Sequence, residues 1–429
     1  MPLFALVDVN NFYASCEALF DPKLRGRPLV VLSNNDGCVV ARSAEAKAVG
    51  VPMATPWHQL RDLARRYHII AMSSNYSLYA DMSNRVVEVL RQFCPTMEVY
   101  SIDESFLDLS GFELQASQAD YGRQIRERIQ QWLGLTVCVG IGPTKTLAKL
   151  ANHCAKKSLA GSAGICDFTT MPASEVNDLM SRIDVGEIWG IGPRLAPRLR
   201  DIGIVTVRDL ARADAEGLRR RFSVVMARTV QELRGMCCLD LEELAPAKQQ
   251  IMASRSFGQR IFEIEELREA VASHIGRAAE KLRAQGSVAG AVTVFIRTNP
   301  FKAKEPQYQP SVTVPLPVAT ADTRTLTAVA LRVLERIYRP GFTYHKAGVM
   351  LSQLRPSSLS QETLFAGPRY PAPRSELVMG VLDAVNRKWG RGTLIVSAEG
   401  TGDGNGWRMR RENLSPAYTT RWSEVPVVC

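Results

Sequence analysis

Apolar and polar positions alternate along two short runs, Glu98 to Ile102 and Ser105 to Leu109, a period-two pattern that predicts a pair of β-strands. Asp103 and Glu104 interrupt the pattern between them. Neighbouring strand residues point to opposite faces, so both acids can meet one ligand only at a turn or a distorted strand end. A solvated hairpin tip would account for such a pair, and so would a hard cation such as Mg²⁺. A third acid, Asp8, ends the strongly apolar run Leu3-Phe4-Ala5-Leu6-Val7. Two strands far apart in sequence, each ending in acid, point to a shared metal site.

The same reading carries along the chain. A strand over Pro28 to Ser33 leads into Asn34-Asn35-Asp36-Gly37, a hairpin-turn signal. Val39 to Arg42 follows, then a helix from Ser43 that carries Lys47 and stops at Gly50. Helices are expected over Thr55 to Tyr67, Leu78 to Phe93 and Tyr121 to Leu133, and a strand over Thr136 to Val139. Gly140 to Lys149 reads as a turn opening a helix. This order fits an α+β domain with helices against a mixed or antiparallel sheet. Lys145, Lys149, Lys156 and Lys157 lie on or just after that last helix, and cations beside a carboxylate–metal site suit a triphosphate.

Beyond it, Gly190 and Gly192 allow a tight turn, and backbone N–H groups at the next helix start, with Arg194, can hold a phosphate. Nine arginines against four acids between Gly190 and Arg228 support that reading. A linker then precedes a β–α–β–β–α–β pattern: a strand near Ser254, helix 266–285, strands Ala291 to Arg297 and Ser311 to Leu316, helix Thr325 to Tyr338, and strand Lys346 to Leu354. Such an order suggests a small sheet with two helices on one face, its strands presenting Arg255, Arg260, Arg297 and Lys302 to a partner. After Pro356 the composition turns to Ser, Gly and Pro, with one helix over Ser375 to Trp389 and a basic, Gly-rich tail. Gln361-Glu362-Thr363-Leu364-Phe365 offers a Leu-Phe pair of the kind that serves as a short peptide ligand.

Composition narrows the partners. The 429 residues leave room for two to four domains, and 46% apolar with 22% charged residues is ordinary for a globular chain. A net charge of +10 favours a polyanion. No apolar run approaches the roughly 18 residues of a spanning helix, and no basic leader precedes the first strand, so a membrane partner and a signal peptide are not expected. Nine scattered cysteines without a C-x-x-C spacing read as reduced thiols of a cytoplasmic protein.

Several stretches together carry a resemblance. They are Asp8-Val9-Asn10-Asn11-Phe12-Tyr13-Ala14-Ser15-Cys16-Glu17, Leu32-Ser33-Asn34-Asn35-Asp36-Gly37-Cys38-Val39, Ser73-Ser74-Asn75-Tyr76, Ser101-Ile102-Asp103-Glu104, Thr144 to His153, and Leu414 to Arg421. In combination they resemble the Y-family translesion DNA polymerases. The last stretch favours the family's UmuC branch. The Gly190–Gly192 turn is similar to the helix-hairpin-helix of DNA-repair and replication proteins.

The resemblance implies an α+β multidomain right hand: palm over 1–11 and 76–168, small fingers over 12–75, helix-hairpin-helix thumb over 169–236, linker over 237–250, little finger over 251–355 and tail over 356–429. It implies that Asp8, Asp103 and Glu104, with the carbonyl of Val9, hold two Mg²⁺ ions. Tyr13 would be the steric gate, with Phe12, Lys47 and Lys156 as further nucleotide contacts. Gly190, Gly192, Arg194, Arg255, Arg260 and Arg297 would meet DNA. Many members carry Tyr and Arg three residues apart on the fingers; here Ala44 and Lys47 stand there, and a point-charge lysine is not equivalent to a bidentate arginine. The implied activity is template-directed, error-prone DNA synthesis across damage in the bacterial SOS response, on primer–template DNA with dNTPs. Implied protein partners are a processed UmuD dimer, RecA and the sliding clamp, the last through Gln361, Leu364 and Phe365, although Glu362 replaces the usual Leu.

A metal-dependent structure-specific nuclease and a catalytically inert DNA-binding accessory subunit are the alternatives. The three acids argue against inertness, and the aromatic pair Phe12-Tyr13 with the lysines after the acidic stretch favours nucleotide transfer over hydrolysis. Replacing Leu364 and Phe365 together by Ala is expected to abolish pull-down by the clamp while leaving clamp-free primer extension intact; retained capture would remove the motif's assignment.

Overall fold

The computed structural model describes residues 2–111, 117–243, 246–302, 304–358, 373–400 and 407–427. Gln361, Leu364 and Phe365 lie outside the described residues. The chain forms two compact units, Met1–Val31 with Val39–Ala245 and Asn413–Cys429, and Leu32–Cys38 with Pro246–Glu412.

The first unit opens with β1 (Phe4–Val9), α1 (Phe12–Phe20), β2 (Leu29–Leu32), β3 (Val39–Arg42), α2 (Ala44–Ala48), α3 (Arg61–Tyr67) and β4 (Ile70–Ser73). It continues with α4 (Tyr76–Arg91), β5 (Met97–Val99), β6 (Glu104–Asp108), α5 (Gln118–Leu133), β7 (Val137–Gly142), α6 (Lys145–Lys156) and β8 (Ile165–Asp167). Five short helices follow: α7 (Ala173–Arg182), α8 (Ala196–Arg200), α9 (Val207–Arg212), α10 (Ala215–Arg221) and α11 (Val224–Leu233). The main sheet runs β5-β6-β1-β7-β8. Its pairs are antiparallel except β7 with β8, which is parallel, so the sheet is mixed. A second sheet has the order β3-β2-β4.

β1 is buried along its whole length, which is why its sequence reads as an unbroken apolar run. Ala5, Val7 and Val9 join the core with α4 and α5. Phe4 and Leu6 pack on the opposite face with Phe106 and Ala148. Asp8 shares the parity of Phe4 and Leu6, and Glu104 that of Phe106, so both acids stand on the face that α6 covers. They are also direct cross-strand partners in the β1–β6 register.

α6 lies unusually close to this face. A Cβ on Gly140 would fall 2.1 Å from the backbone nitrogen of Asn152 and 2.3 Å from the carbonyl oxygen of Ala148. Gly140 and Gly142 therefore belong to the strand β7, not to the turn their spacing suggests; they are glycines because a helix backbone rests on them. Asn152, 2% exposed, fastens the contact by donating to the carbonyls of Leu6 at 3.2 Å and Cys138 at 2.8 Å. The helix start is held by Glu232, whose carboxylate accepts from the N–H of Thr146 at 3.1 Å, while Thr144 donates its hydroxyl to the Glu232 carbonyl.

Three other expectations change. The strand expected over Glu98 to Ile102 ends at Val99, leaving Asp103 in the turn and Glu104 at the head of β6. The helix expected from Thr55 begins as a 3₁₀ turn, Trp57–Leu60, before α3. The stretch from Asn413 is no loose tail: it packs within the first unit, Ser73 and Asn413 exchanging hydrogen bonds.

The second unit holds β9 (Ile251–Ile261), α12 (Ile264–Ala284), β10 (Ser287–Thr298), β11 (Ser311–Thr320), α13 (Thr323–Ile337), β12 (Tyr344–Pro356) and α14 (Pro373–Trp389). Its antiparallel sheet runs β11-β10-β12-β9, and Val292, Val294 and Ile296 form one core with Leu267, Ile275 and Leu334. The hairpin expected at Asn34 to Gly37 forms: β2 and β3 are neighbours, joined by Ser33 N–H to the Cys38 carbonyl and Ser43 N–H to the Leu29 carbonyl, through a 3₁₀ turn with Asn35 and Asp36 at φ 59° and 50°. Asn35 also donates to the carbonyls of Ser256 and Phe257 and accepts from the N–H of Arg410.

Gly140→Ala should force the α6 backbone off the sheet and cost about 1–3 kcal/mol or more, the usual penalty of overpacking a tight contact. Denaturant melts of the full chain would show it as a lowered midpoint. An unchanged midpoint would mean that the contact has slack.

Candidate active site

β1 delivers Asp8 and β6 delivers Glu104 to one spot on the α6 face. Asp8 is 4% exposed. Burial, and then a hydrogen bond to Glu104, push its carboxyl up to about 7 against the pull of Lys156. Glu104 is held below the usual carboxylate range: burial opposes this, and the hydrogen bond from Asp8, with Lys149 and Lys156, outweighs it. The proton affinities of the two acids therefore move apart, as those of close carboxyls do. α6 supplies the counter-charges. Lys156 pairs with Asp8, and Lys149 donates to Glu104 at 2.7 Å.

Asp103 is the member that stands apart. Its carboxylate accepts from the Ser101 hydroxyl at 2.5 Å, and that same Ser101 oxygen accepts from the N–H groups of Asp103 and Glu104. Among the described residues no three His, Cys, Asp or Glu side chains gather into a metal-holding group. Burial raises the Tyr13 phenol, and the charges of Tyr76 and Asp103 add to it, which puts Asp103 on the Tyr13 side of the acid pair. The backbone at Val9 is fixed by its N–H donating to the Asp103 carbonyl at 2.9 Å.

Cations converge from a second direction. Lys47 on α2 donates to the side chain of Asn11. Burial lowers its pKa, and the charges of Arg42, Lys156 and Lys157 lower it further, with Asp8 opposing. Arg42, Lys156 and Lys157, near enough to lower the Lys47 pKa, make with it a concentration of positive charge that suits a polyanion. Arg42, at the end of β3, was not singled out in the sequence.

Tyr13 is half-buried, one ring face covered by Tyr79 at a centroid distance of 4.4 Å and an angle of 14°. Phe12 is buried in the core beneath it, so it can act on a nucleotide only by backing Tyr13. Lys145 leaves the site: its ammonium is buried against Glu98 at 2.6 Å, where it ties β5 to α6. Trp189 and Tyr100, which sequence reasoning passed over, frame Lys149 with ring centroids 5.4 and 4.7 Å from its Nζ. With Asp8, Glu104, Lys149 and Lys156, Trp189 borders a cavity of about 170 Å³ that also reaches His153 and Glu187.

Around the thumb turn, Gly190 adopts φ 85°, a conformation only glycine takes cheaply, and Arg194 is exposed. Arg260 and Arg297 are exposed on the sheet face opposite the helices, by their alternation with Ile261 and Ile296 in the core. Arg255 differs from the expectation: it lines a cavity with His274 and Arg277 of α12, on the helix-bearing side, because it shares the parity of Ala253 and Phe257. No helix among the described residues is long and apolar enough to cross a membrane.

The donors at Asp8 and Glu104, with neighbouring backbone carbonyls, are all hard oxygens, which fits a divalent cation such as Mg²⁺ and not a soft metal.

Comparison with known proteins gives a consistent family. Residues 7–153 match the impB/mucB/samB family, 248–364 its C-terminal domain, 173–204 the IMS family HHH motif, and 376–428 a domain of unknown function. Protein SamB of Salmonella typhimurium is 48% identical over 424 residues, 99% of each chain. Protein UmuC of Salmonella typhimurium strain LT2 is 47% identical over 423 residues, again 99% of each. DNA polymerase IV of Moorella thermoacetica is 30% identical over 374 residues, 84% of this chain and 88% of that one. Among solved structures, a Y-family DNA polymerase chimera superposes with TM-score 0.63 at 21% identity, covering 82% of this chain and 99% of its own. The insertion ternary complex of Dbh DNA polymerase gives 0.53 at 22% identity, covering 82% and 98%. These structures share the right-hand polymerase fold with this chain. Near-complete coverage at close to half identity, with the segments in the same order, places the chain in the impB/mucB/samB family, the UmuC branch of the Y-family DNA polymerases.

Proposed function

We infer that the protein is a DNA-directed DNA polymerase of the translesion type, which extends a primer across damaged template with dNTPs as part of bacterial SOS mutagenesis. The observation that carries this reading is the juxtaposition of a buried acid pair, Asp8 and Glu104, with a cluster of cations and a stacked tyrosine. A nuclease shares the acids and the cations that hold a polyanion, but has no use for a backed aromatic ring beside them.

Y-family polymerases are divalent-metal dependent. In this chain Asp8, Glu104 and Asp103, with the carbonyl of Val9, would hold two Mg²⁺ ions. Bound there, the metal supplies acidity for the primer 3′-hydroxyl and neutralises the pyrophosphate leaving group. The residues do the rest. An arriving triphosphate gives Lys47, Lys156 and Lys157 an anionic partner, so Lys156 exchanges Asp8 for a phosphate oxygen. Asp8 would be held as a carboxylate by the cation's charge, which offsets the burial that otherwise favours its protonated form. Lys149, caged by Tyr100 and Trp189, stays with Glu104 and fixes its orientation. Tyr13 cannot recede from the sugar because Tyr79 lies flat behind it, so a 2′-hydroxyl meets a solid ring.

The thumb turn at Gly190, Gly192 and Arg194 would grip the DNA backbone, as would Arg260 and Arg297 on the open face of the second unit's sheet. Arg255, on the other side of that sheet, is the weakest of the proposed contacts. By family, a processed UmuD dimer, RecA and the sliding clamp are its proposed partners, in the cytoplasm, with the clamp taken by the Gln361–Phe365 motif.

Single-nucleotide primer extension tests the reading, with the partner proteins added. The wild type should add the template-matched dNTP and reject the matching ribonucleotide. Tyr13→Ala should accept the ribonucleotide at least about tenfold better, a change of about 1.4 kcal/mol in discrimination, while still adding the dNTP. Shortened primer would favour the nuclease, and unchanged sugar selectivity would remove Tyr13 from the gate.

A further inference from the structure

The ring behind the gate is itself held in place, and the hold comes from the far end of the chain. Tyr79 is fully buried, and its hydroxyl donates to Glu17 Oε1 at 2.6 Å. Glu17, 1% exposed, lies one helical turn beyond Tyr13 on α1. The gate tyrosine and the acid that anchors its backing ring are therefore carried by the same helix.

Ser415 completes the frame. It is 5% exposed, and its Oγ accepts from Asn75 Nδ2 at 2.9 Å. The same Asn75 accepts from the N–H of Leu78 at 3.2 Å, which makes it the N-cap of α4, the helix that bears Tyr79. Burial raises the Glu17 carboxyl, and the nearby hydroxyls of Tyr79 and Ser415 both draw it back, while the hydrogen bond at Ser415 goes to Asn75, the N-cap of the helix that bears Tyr79. Further along, Tyr418 stacks on Phe20 at the end of α1, centroids 5.1 Å apart and planes at 10°. Ala417 donates its N–H to Glu424 at 2.6 Å, closing the segment on itself. The contacts of Ser415 with Asn75 and of Tyr418 with Phe20 join residues more than 300 positions apart, in a stretch matched by the model of a domain of unknown function.

We propose that the segment Asn413 to Tyr418 is a positioning element of the nucleotide pocket: through Ser415 it fixes Tyr79, and through Tyr79 it sets how firmly Tyr13 excludes a 2′-hydroxyl. Glu17, Tyr79 and Ser415 are positioning residues, since none of them meets the nucleotide. The proposal rests on Tyr13 being the gate. Its chemistry is specific. A ring stacked face to face can slide in its own plane at little cost, whereas a buried hydroxyl bonded to a fixed carboxylate cannot move without breaking that bond. Without Ser415, the Asn75 amide loses its side-chain acceptor and Glu17 loses its second hydroxyl neighbour. The ring then keeps its stack but not its register.

The test measures nucleotide binding without turnover. The full-length chain, bound to a primer–template ending in a dideoxynucleotide, is titrated with dATP and with ATP opposite thymine in the presence of Mg²⁺. Wild type, Ser415→Ala, Ser415→Thr, Tyr79→Phe and Tyr13→Ala are compared, with thermal melting as the control for folding. Tyr79→Phe and Ser415→Ala should narrow the preference for dATP by about three- to tenfold, the scale of one buried hydrogen bond, mostly through tighter ATP binding. Ser415→Thr, which keeps the hydroxyl, should restore it. If Tyr13→Ala narrows the preference and neither Ser415→Ala nor Tyr79→Phe does, the tail has no positioning role and the gate stands. If none of the three narrows it, the gate assignment falls and the proposal with it. Equal weakening of dATP and ATP binding in Ser415→Ala and Tyr79→Phe, with a lowered melting temperature, would make the segment a purely structural brace and overturn the proposal.

Discussion

The site depends on neutralising two carboxylates that the fold places side by side. Once Asp8 and Glu104 occupy opposed positions on β1 and β6, facing the same way, neither can be solvated freely. An uncompensated buried charge costs several kcal/mol. The chain answers with Lys149 and Lys156 from one helix. In the proposed function a metal ion takes over part of that compensation, and a triphosphate takes the place of Asp8 on Lys156.

That compensation works only if α6 lies close enough for its lysines to reach the strands. The glycines of β7 permit the approach, and Asn152 bonds to two strands at once. Glu232 holds the first turn, placing a negative charge where the helix dipole favours it. Lys145 pairs with Glu98 under the same turn. Residues that never touch substrate therefore set the distance on which the carboxylate–lysine pairs depend.

Much of this was legible in the sequence. An unbroken apolar strand ending in Asp8 and an alternating strand beginning at Glu104 are patterns that burial imposes, and they located both acids. The β–α–β–β–α–β order of the second unit was readable for the same reason. Three features were not. Gly140 and Gly142 look like turn residues, because a sequence does not distinguish a glycine needed for its φ from one needed for its missing Cβ. Arg255 was assigned to the wrong side of its sheet, since its neighbours are polar and the strand's parity is set only by Ala253 and Phe257 reaching the core. The stretch after Asn413 has no periodicity at all. Its order comes from single hydrogen bonds to Ser73 and Asn75 and one ring stack, contacts that leave no repeating pattern.

Primer extension with Mg²⁺ and all four dNTPs, comparing the wild type with Asp103→Ala/Glu104→Ala, tests the central claim most directly. Removing these acids takes out two of the proposed metal ligands and the hydrogen-bond partner of Asp8. Extension should fall by at least about a hundredfold, the usual cost of losing a group that stabilises developing charge, while affinity for primer–template DNA is retained. Extension at the wild-type rate by the double variant would contradict the account and move the chemistry away from β1 and β6.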